Sequence, residues 1–135
     1  MAAKIIDGEA VAAGIKEGLK KDVASLKAAG KPPKLVAVMA TDNKGAQIYA
    51  KNQAESCTEV GIEYMLAELP PSSTESQIVA EIQKHNADPA VSGIIIQKPL
   101  PDGVNARKLQ RMIAPAKDVE GMHPENQGMV VYCAQ

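Results

Sequence analysis

The sequence predicts an α/β domain in three layers, with helices on both faces of a mostly parallel sheet. Two observations carry that expectation. The runs "KLVAVMA", "IEYMLAEL" and "VSGIII" are apolar without polar alternation, which marks strands buried on both faces. Amphipathic helical stretches separate them, and strands that alternate with helices pair in parallel through right-handed crossovers. With 135 residues, 45% of them hydrophobic, the chain is long enough for one domain with a real core.

From Gly8 to Ala28 the residues Ile15, Leu19, Val23 and Leu26 recur every three or four positions, the stripe of an amphipathic helix, and Gly30 and Pro32 stop it. "KLVAVMA" is the first strand. "TDNKG" turns the chain into a second helix from about Gly45 to Val60, with Gly61 placed to close it. "IEYMLAEL" is the second strand and "PPSST" a loop. Thr74 with Gln77 resembles a capping box for a third helix, which carries Ile78, Val79 and Ile82 and ends in "HNADPA". "VSGIII" is the third strand, after which Asn105 caps a short helix whose buried side holds Leu109, Met112 and Ile113. No segment repeats, and Pro70 to Ser73 is too short for an interdomain linker.

Charge and composition exclude several functions. Fifteen basic against sixteen acidic residues leave a formal charge of -1, which offers nothing to nucleic acid or to an anionic membrane. There is no Phe or Trp and only three Tyr, too few for a base-stacking platform. Cys57 and Cys133 lie far apart with only His85 and His123 to assist, so no metal site is expected and a reducing compartment fits. The start "MAAKIIDGEA" is no targeting signal, and the apolar runs are too short to span a bilayer; a soluble, cytoplasmic protein is expected.

The chain has no GxGxxG after a strand and no GxxxxGK[ST], so neither a dinucleotide fingerprint nor a phosphate loop is encoded. GxSxG and HExxH are absent too. What stands out is a scattered polar set. Tyr49 and Gln53, one helical turn apart, share a face with Ala46 and Cys57. Gln97, Lys98, Pro99, Leu100 and Pro101 follow the third strand at a carboxyl end, where ligands bind in open α/β sheets, and two prolines stiffen the loop. Asp118 lies in "APAKDVEGMHPENQG". Each also has a purely structural reading: Tyr49 as a core residue, Gln53 as a surface or capping amide, the proline loop as a rigid strand exit, Asp118 as a turn acid.

Together, "IIDGEAVA", "AVMATDNKGAQIYAKNQAESCTEVGI", "GIIIQKPLPDGV" and "IAPAKDVEGMHPENQG" resemble the folate-binding domain of the methylenetetrahydrofolate dehydrogenase/cyclohydrolase family over almost the whole chain. The resemblance implies an amino-acid-dehydrogenase-like N-terminal domain over 1–135, followed in the full-length enzyme by a Rossmann domain that binds NAD or NADP. It implies a homodimer acting on tetrahydrofolate derivatives, and a chain that alone binds nicotinamide poorly and turns nothing over. Tyr49 would pack on the folate ring system, Gln97 would help position the catalytic group, Asp118 would hydrogen-bond the pterin edge, and Pro99, Leu100 and Pro101 would wall the cleft.

Two departures from the family pattern bear on mechanism. In Ser-x-x-Tyr-x-x-x-Lys the serine position is Ala46 and the lysine position Gln53; in Lys-Asp-Val-Asp-Gly the second acid is Glu120. Lys51 is no substitute, since at about 100° per residue it points about 200° away from Gln53. Hydride transfer mainly needs the donor held in line, which an amide can help do. Hydrolysis of a methenyl bridge needs a titrating group, so cyclohydrolase activity is expected to be weak or absent unless Lys98 reaches the cleft. The competing readings are a folate-binding module without turnover and a structural half-domain. A receiver-like domain is disfavoured because Asp42 lacks neighbouring acids to hold magnesium.

Overall fold

The computed structural model describes residues 6–133. The first five residues of the stretch read for a targeting signal, and Ala134 and Gln135, lie outside the described residues. In chain order the elements are α1 (Gly8–Ala28), β1 (Lys34–Met39), α2 (Lys44–Val60), β2 (Glu63–Glu68), α3 (Glu75–Ala87), β3 (Gly93–Ile96), α4 (Ala106–Gln110), a 3-10 turn (Pro115–Lys117) and α5 (Pro124–Cys133). The strands form one parallel sheet in the order β2-β1-β3, with Leu35 opposite both Tyr64 and Gly93, and Val38 opposite Ala67 and Ile96.

Because side chains alternate along a strand, this register sorts the sheet into two faces. On one, Val36, Val38, Ile94 and Ile96 meet Ile78 and Ile82 of α3 and Leu109 of α4 in the larger core. On the other, Met39 and Leu66 pack under α2 through Ala46 and Ala50, whose small side chains let the helix sit close to the sheet. Each fully buried isoleucine contributes about 1.5–3 kcal/mol relative to exposure, so Ile78 and Ile82 alone anchor α3.

Local chemistry sets the boundaries. Asn43 caps α2 by accepting from the Ala46 amide at 3.0 Å, and Gly61 ends it at φ 87°, a left-handed conformation that side chains disfavour. The Thr74–Gln77 capping box is present in full, and Asn105 accepts from the Lys108 amide at 3.2 Å. Asp7 supplies a cap the sequence reading passed over, accepting from Glu9 and Ala10.

Two features differ from expectation. The α1 helix forms, but of its apolar stripe only Val23 is buried; Ile15, Leu19 and Leu26 stay exposed, as does Val11. The reason is placement: α1 packs mainly along α2, with the partly exposed Lys16–Glu59 ion pair at 2.6 Å between them. The 3-10 turn and α5 were not anticipated. In α5, Pro124 occupies the first turn and the His123 ring accepts from the Glu125 amide at 3.2 Å, yet none of its residues is buried. Among the described residues no helix is long and apolar enough to cross a membrane.

Candidate functional site

Ala46 and Ala50 turn toward the sheet, so Tyr49 and Gln53 emerge along the border of the buried face of α2. Tyr49 is 60% exposed, which overturns the reading of it as a core residue. Gln53 is half-buried and holds two donors at once. Its Oε1 accepts from Gln97 Nε2 at 3.0 Å and from the Tyr64 hydroxyl at 3.2 Å. The reading of Gln53 as a surface amide therefore falls as well.

Gln97 sits one residue past β3 and extends its pairing, its amide donating to the Val38 carbonyl at 2.9 Å. Gly93, Ile95 and Gln97 share the sheet face that α2 covers, and this parity aims the buried Gln97 side chain at Gln53. Tyr64 lies on the same face, in register with Leu35 and Gly93. Burial, with smaller contributions from Cys57 and Tyr49, pushes its phenol up to about 12, so it remains a neutral donor at ordinary pH. Sequence reasoning missed Tyr64; its only signal was its shared parity with Leu66 in "EYMLAE".

The strand exit divides. Lys98 and Pro99 are exposed, and the peptide bond between them is cis. Leu100 packs instead against the α3-side core, and Pro101 borders a hollow with Ser73, Thr74 and Glu75. Pro99 thus stays beside Gln97, while Leu100 and Pro101 anchor the loop on the far side of the sheet. Lys51 is exposed, 3.9 Å from Glu55, and lines the hollow beside Tyr64.

Asp118 makes a parallel bridge to Ile94 on the free edge of β3. Its Oδ2 accepts from the His123 amide at 2.7 Å and from Asn126 Nδ2 at 2.9 Å. Burial pushes the carboxyl up, but hydrogen bonds from His123, Asn126 and the Met122 and Glu120 backbone outweigh it and leave it below its usual value. The acid therefore closes its own loop, as the turn reading expected. The neighbouring Val119 covers Gly93: a Cβ built there would lie 2.5 Å from Val119 Cγ1. Glu120, next along, is exposed.

Gln53 and Gln97 are thus in contact, Tyr49 stands one helical turn from them, and the Asp118 loop docks at the opposite end of the same strip of β3. Four residues of strand, about 13 Å, separate Gly93 from Gln97. Two hollows lie near this strip, and neither is lined by Tyr49, Gln53 or Gln97. One, of about 470 Å³, borders Ala50, Tyr64 and Leu66; the other, of about 260 Å³, borders Leu35, Gly93 and Val119. Neither contains both ends of the strip.

At its centre are two amides and a phenol, able to orient a ligand through donors and acceptors, with Lys51 and Glu68 on the rim of the neighbouring hollow. Burial pushes the Cys57 thiol up, away from nucleophilic use. His85 is buried in α3 against Glu81, 2.9 Å away, and belongs to the other side of the sheet. Among the described residues no three His, Cys, Asp or Glu side chains converge on a metal position.

Comparison with known proteins agrees with this architecture. The profile of the tetrahydrofolate dehydrogenase/cyclohydrolase catalytic domain matches residues 6–120. The bifunctional protein FolD of Heliobacterium modesticaldum is 38% identical over 131 residues, covering 97% of this chain and 46% of that protein. That of Prosthecochloris aestuarii is 40% identical over 128 residues, covering 94% and 43%. Among solved structures, the bifunctional FolD enzyme of Campylobacter jejuni superposes with a TM-score of 0.93 at 36% identity, over 96% of this chain and 46% of that one. The Trypanosoma brucei dehydrogenase-cyclohydrolase, solved with NADP and an inhibitor, superposes with a TM-score of 0.91 at 28% identity, over 100% and 46%. The chain spans less than half the length of these relatives.

Proposed function

The chain belongs to the tetrahydrofolate dehydrogenase/cyclohydrolase family through its catalytic domain, and we propose that it forms the folate-binding half of a 5,10-methylenetetrahydrofolate dehydrogenase. The observation that carries this reading is the Gln97–Gln53 hydrogen bond, which joins the strand exit to the exposed Tyr49 helix on one face of the sheet.

In this reading Tyr49 offers its ring face to the flat folate, while Gln53 and Gln97, each fixed by the other, orient the reacting end through their remaining amide atoms. Pro99 forms the adjoining wall. Asp118 holds the 118–122 loop in shape, and Glu120, whose carboxylate is exposed beside it, is better placed to accept from the amino and ring N–H groups of a pterin. This departs from the assignment of pterin binding to Asp118, because that carboxylate already serves its own loop.

NAD or NADP, bound by a second domain of a homodimeric full-length enzyme, would accept the hydride; the residues of this chain only hold the donor and exclude wrong geometries. Cyclohydrolase activity is weak or absent, because position 53 carries an amide that does not titrate. The test is a titration of the chain with a tetrahydrofolate analogue. Saturable binding that Tyr49→Ala and Gln97→Ala each weaken tenfold or more supports the proposal.

A second reading has its own observation. The exposed apolar face of α1, with Val11, Ile15 and Leu19, suits a half-domain completed by another structure. Absence of analogue binding, with both variants folded, favours it.

A further inference from the structure

Away from the strip, a hollow of about 440 Å³ lies between α4 and the start of α5, lined by Arg107, Gln110, Arg111, Met122, Pro124 and Gln127. We propose that it is an anion site that takes a phosphate group, either free or at the end of a small ester.

Three observations carry this. Arg107 and Arg111 stand one turn apart across α4, on one face, and neither has a carboxylate within 4.0 Å among the described residues. The contrast lies in the same helix: Lys108 is paired with Glu75, so α4 uses its lysine for structure and leaves both guanidinium groups to the hollow. Among the described residues no acidic side chain lines the hollow.

Gln110 supplies the second kind of donor. It is 7% exposed, and among the described residues no hydrogen bond reaches its side chain. Among the described residues no enclosed side-chain nitrogen or oxygen lacks a partner, so the Gln110 amide is the part of this residue that opens to the hollow. A mostly buried residue whose amide has no protein partner keeps its donors for a ligand or water in the hollow it lines.

The donor set selects the anion. Two planar guanidinium forks on separate turns can each engage two oxygens, and with an amide between them they suit a tetrahedral group with three free oxygens better than a planar carboxylate with two. The hollow is far larger than one phosphate, which leaves room for an organic remainder.

Inorganic phosphate and ribose 5-phosphate are titrated separately into the chain at low salt, followed by amide chemical shifts. Saturable shifts confined to residues 107–111 and 122–127 are expected, with Arg111→Ala weakening binding at least tenfold and Gln110→Leu several-fold. Tighter binding of ribose 5-phosphate identifies the ligand as an ester, and equal binding as free phosphate. Absence of saturable shifts, unchanged affinity in a folded Arg111→Ala variant, or tighter binding of glutarate than of either phosphate overturns the proposal.

Discussion

Gln97 donates its side-chain amide to Gln53 Oε1 across 3.0 Å, so the residue on α2 acts as an acceptor at the one place where an ammonium could only donate. The polarity of this contact decides which atoms the pair leaves for a ligand. Gln53 retains its Nε2 donors, and Gln97 its carbonyl oxygen.

Gln53→Lys reverses that polarity. The Gln97 amide must rotate to present its oxygen, and a group able to titrate enters the site beside the Tyr64 hydroxyl. In the intact enzyme, conversion of methenyltetrahydrofolate to 10-formyltetrahydrofolate should rise by about 10²-fold, the scale of general acid–base catalysis. Dehydrogenase turnover should change far less. A variant with unaltered hydrolysis would show that position 53 does not limit that step.

Tyr64→Phe keeps the ring and removes one donor from Gln53, which should cost about 0.5–1.5 kcal/mol in urea unfolding. It also carries a pH signature. The folded phenol titrates at about 12 against about 10 when unfolded, so between those values the native state holds the extra proton. The stabilisation is complete below pH 10 and is lost as pH rises through 12. Wild-type stability should fall across that window more steeply than that of Tyr64→Phe, and ultraviolet titration should show one late-ionising tyrosine that the variant lacks.

Asp118→Asn and Glu120→Gln separate the roles of two acids in one loop. The first removes a carboxylate that accepts from His123 and Asn126 and should destabilise the chain by about 1 kcal/mol, modest because the loop is partly solvated. Its carboxyl is held below the ordinary value, so its contribution is present above the unfolded pKa and is lost as pH falls through the lower folded one. Glu120→Gln should leave stability unchanged and weaken folate-analogue binding several-fold. The reverse pattern, measured by urea unfolding and calorimetric titration, would return the ligand contact to Asp118.

Gly93→Ala places a methyl 2.5 Å from Val119 Cγ1 and 3.3 Å from Leu35 Cδ1, where these side chains leave no room, and should destabilise by about 1–3 kcal/mol. Val119→Ala in the same chain removes the obstructing methyl group and should recover much of the loss. An additive double variant would mean that the loop does not press on the strand there.

The sequence alone determined the kind and order of most elements, their caps at Asn43, Thr74 and Asn105, and the shared helix face of Tyr49 and Gln53, because periodicity and capping act over a few neighbouring residues. It also located Gln97 at a strand exit. Tertiary structure alone decided that β1 lies between β2 and β3, and this register brings Tyr64, from a different strand, onto Gln53. It decided too that Val119 fills the space above Gly93, that Asp118 serves its own loop, and that the α1 stripe stays uncovered. These depend on contacts between residues distant along the chain, whose pairing no local pattern encodes: a strand's parity shows which side chains share a face, but not which neighbour that face will meet.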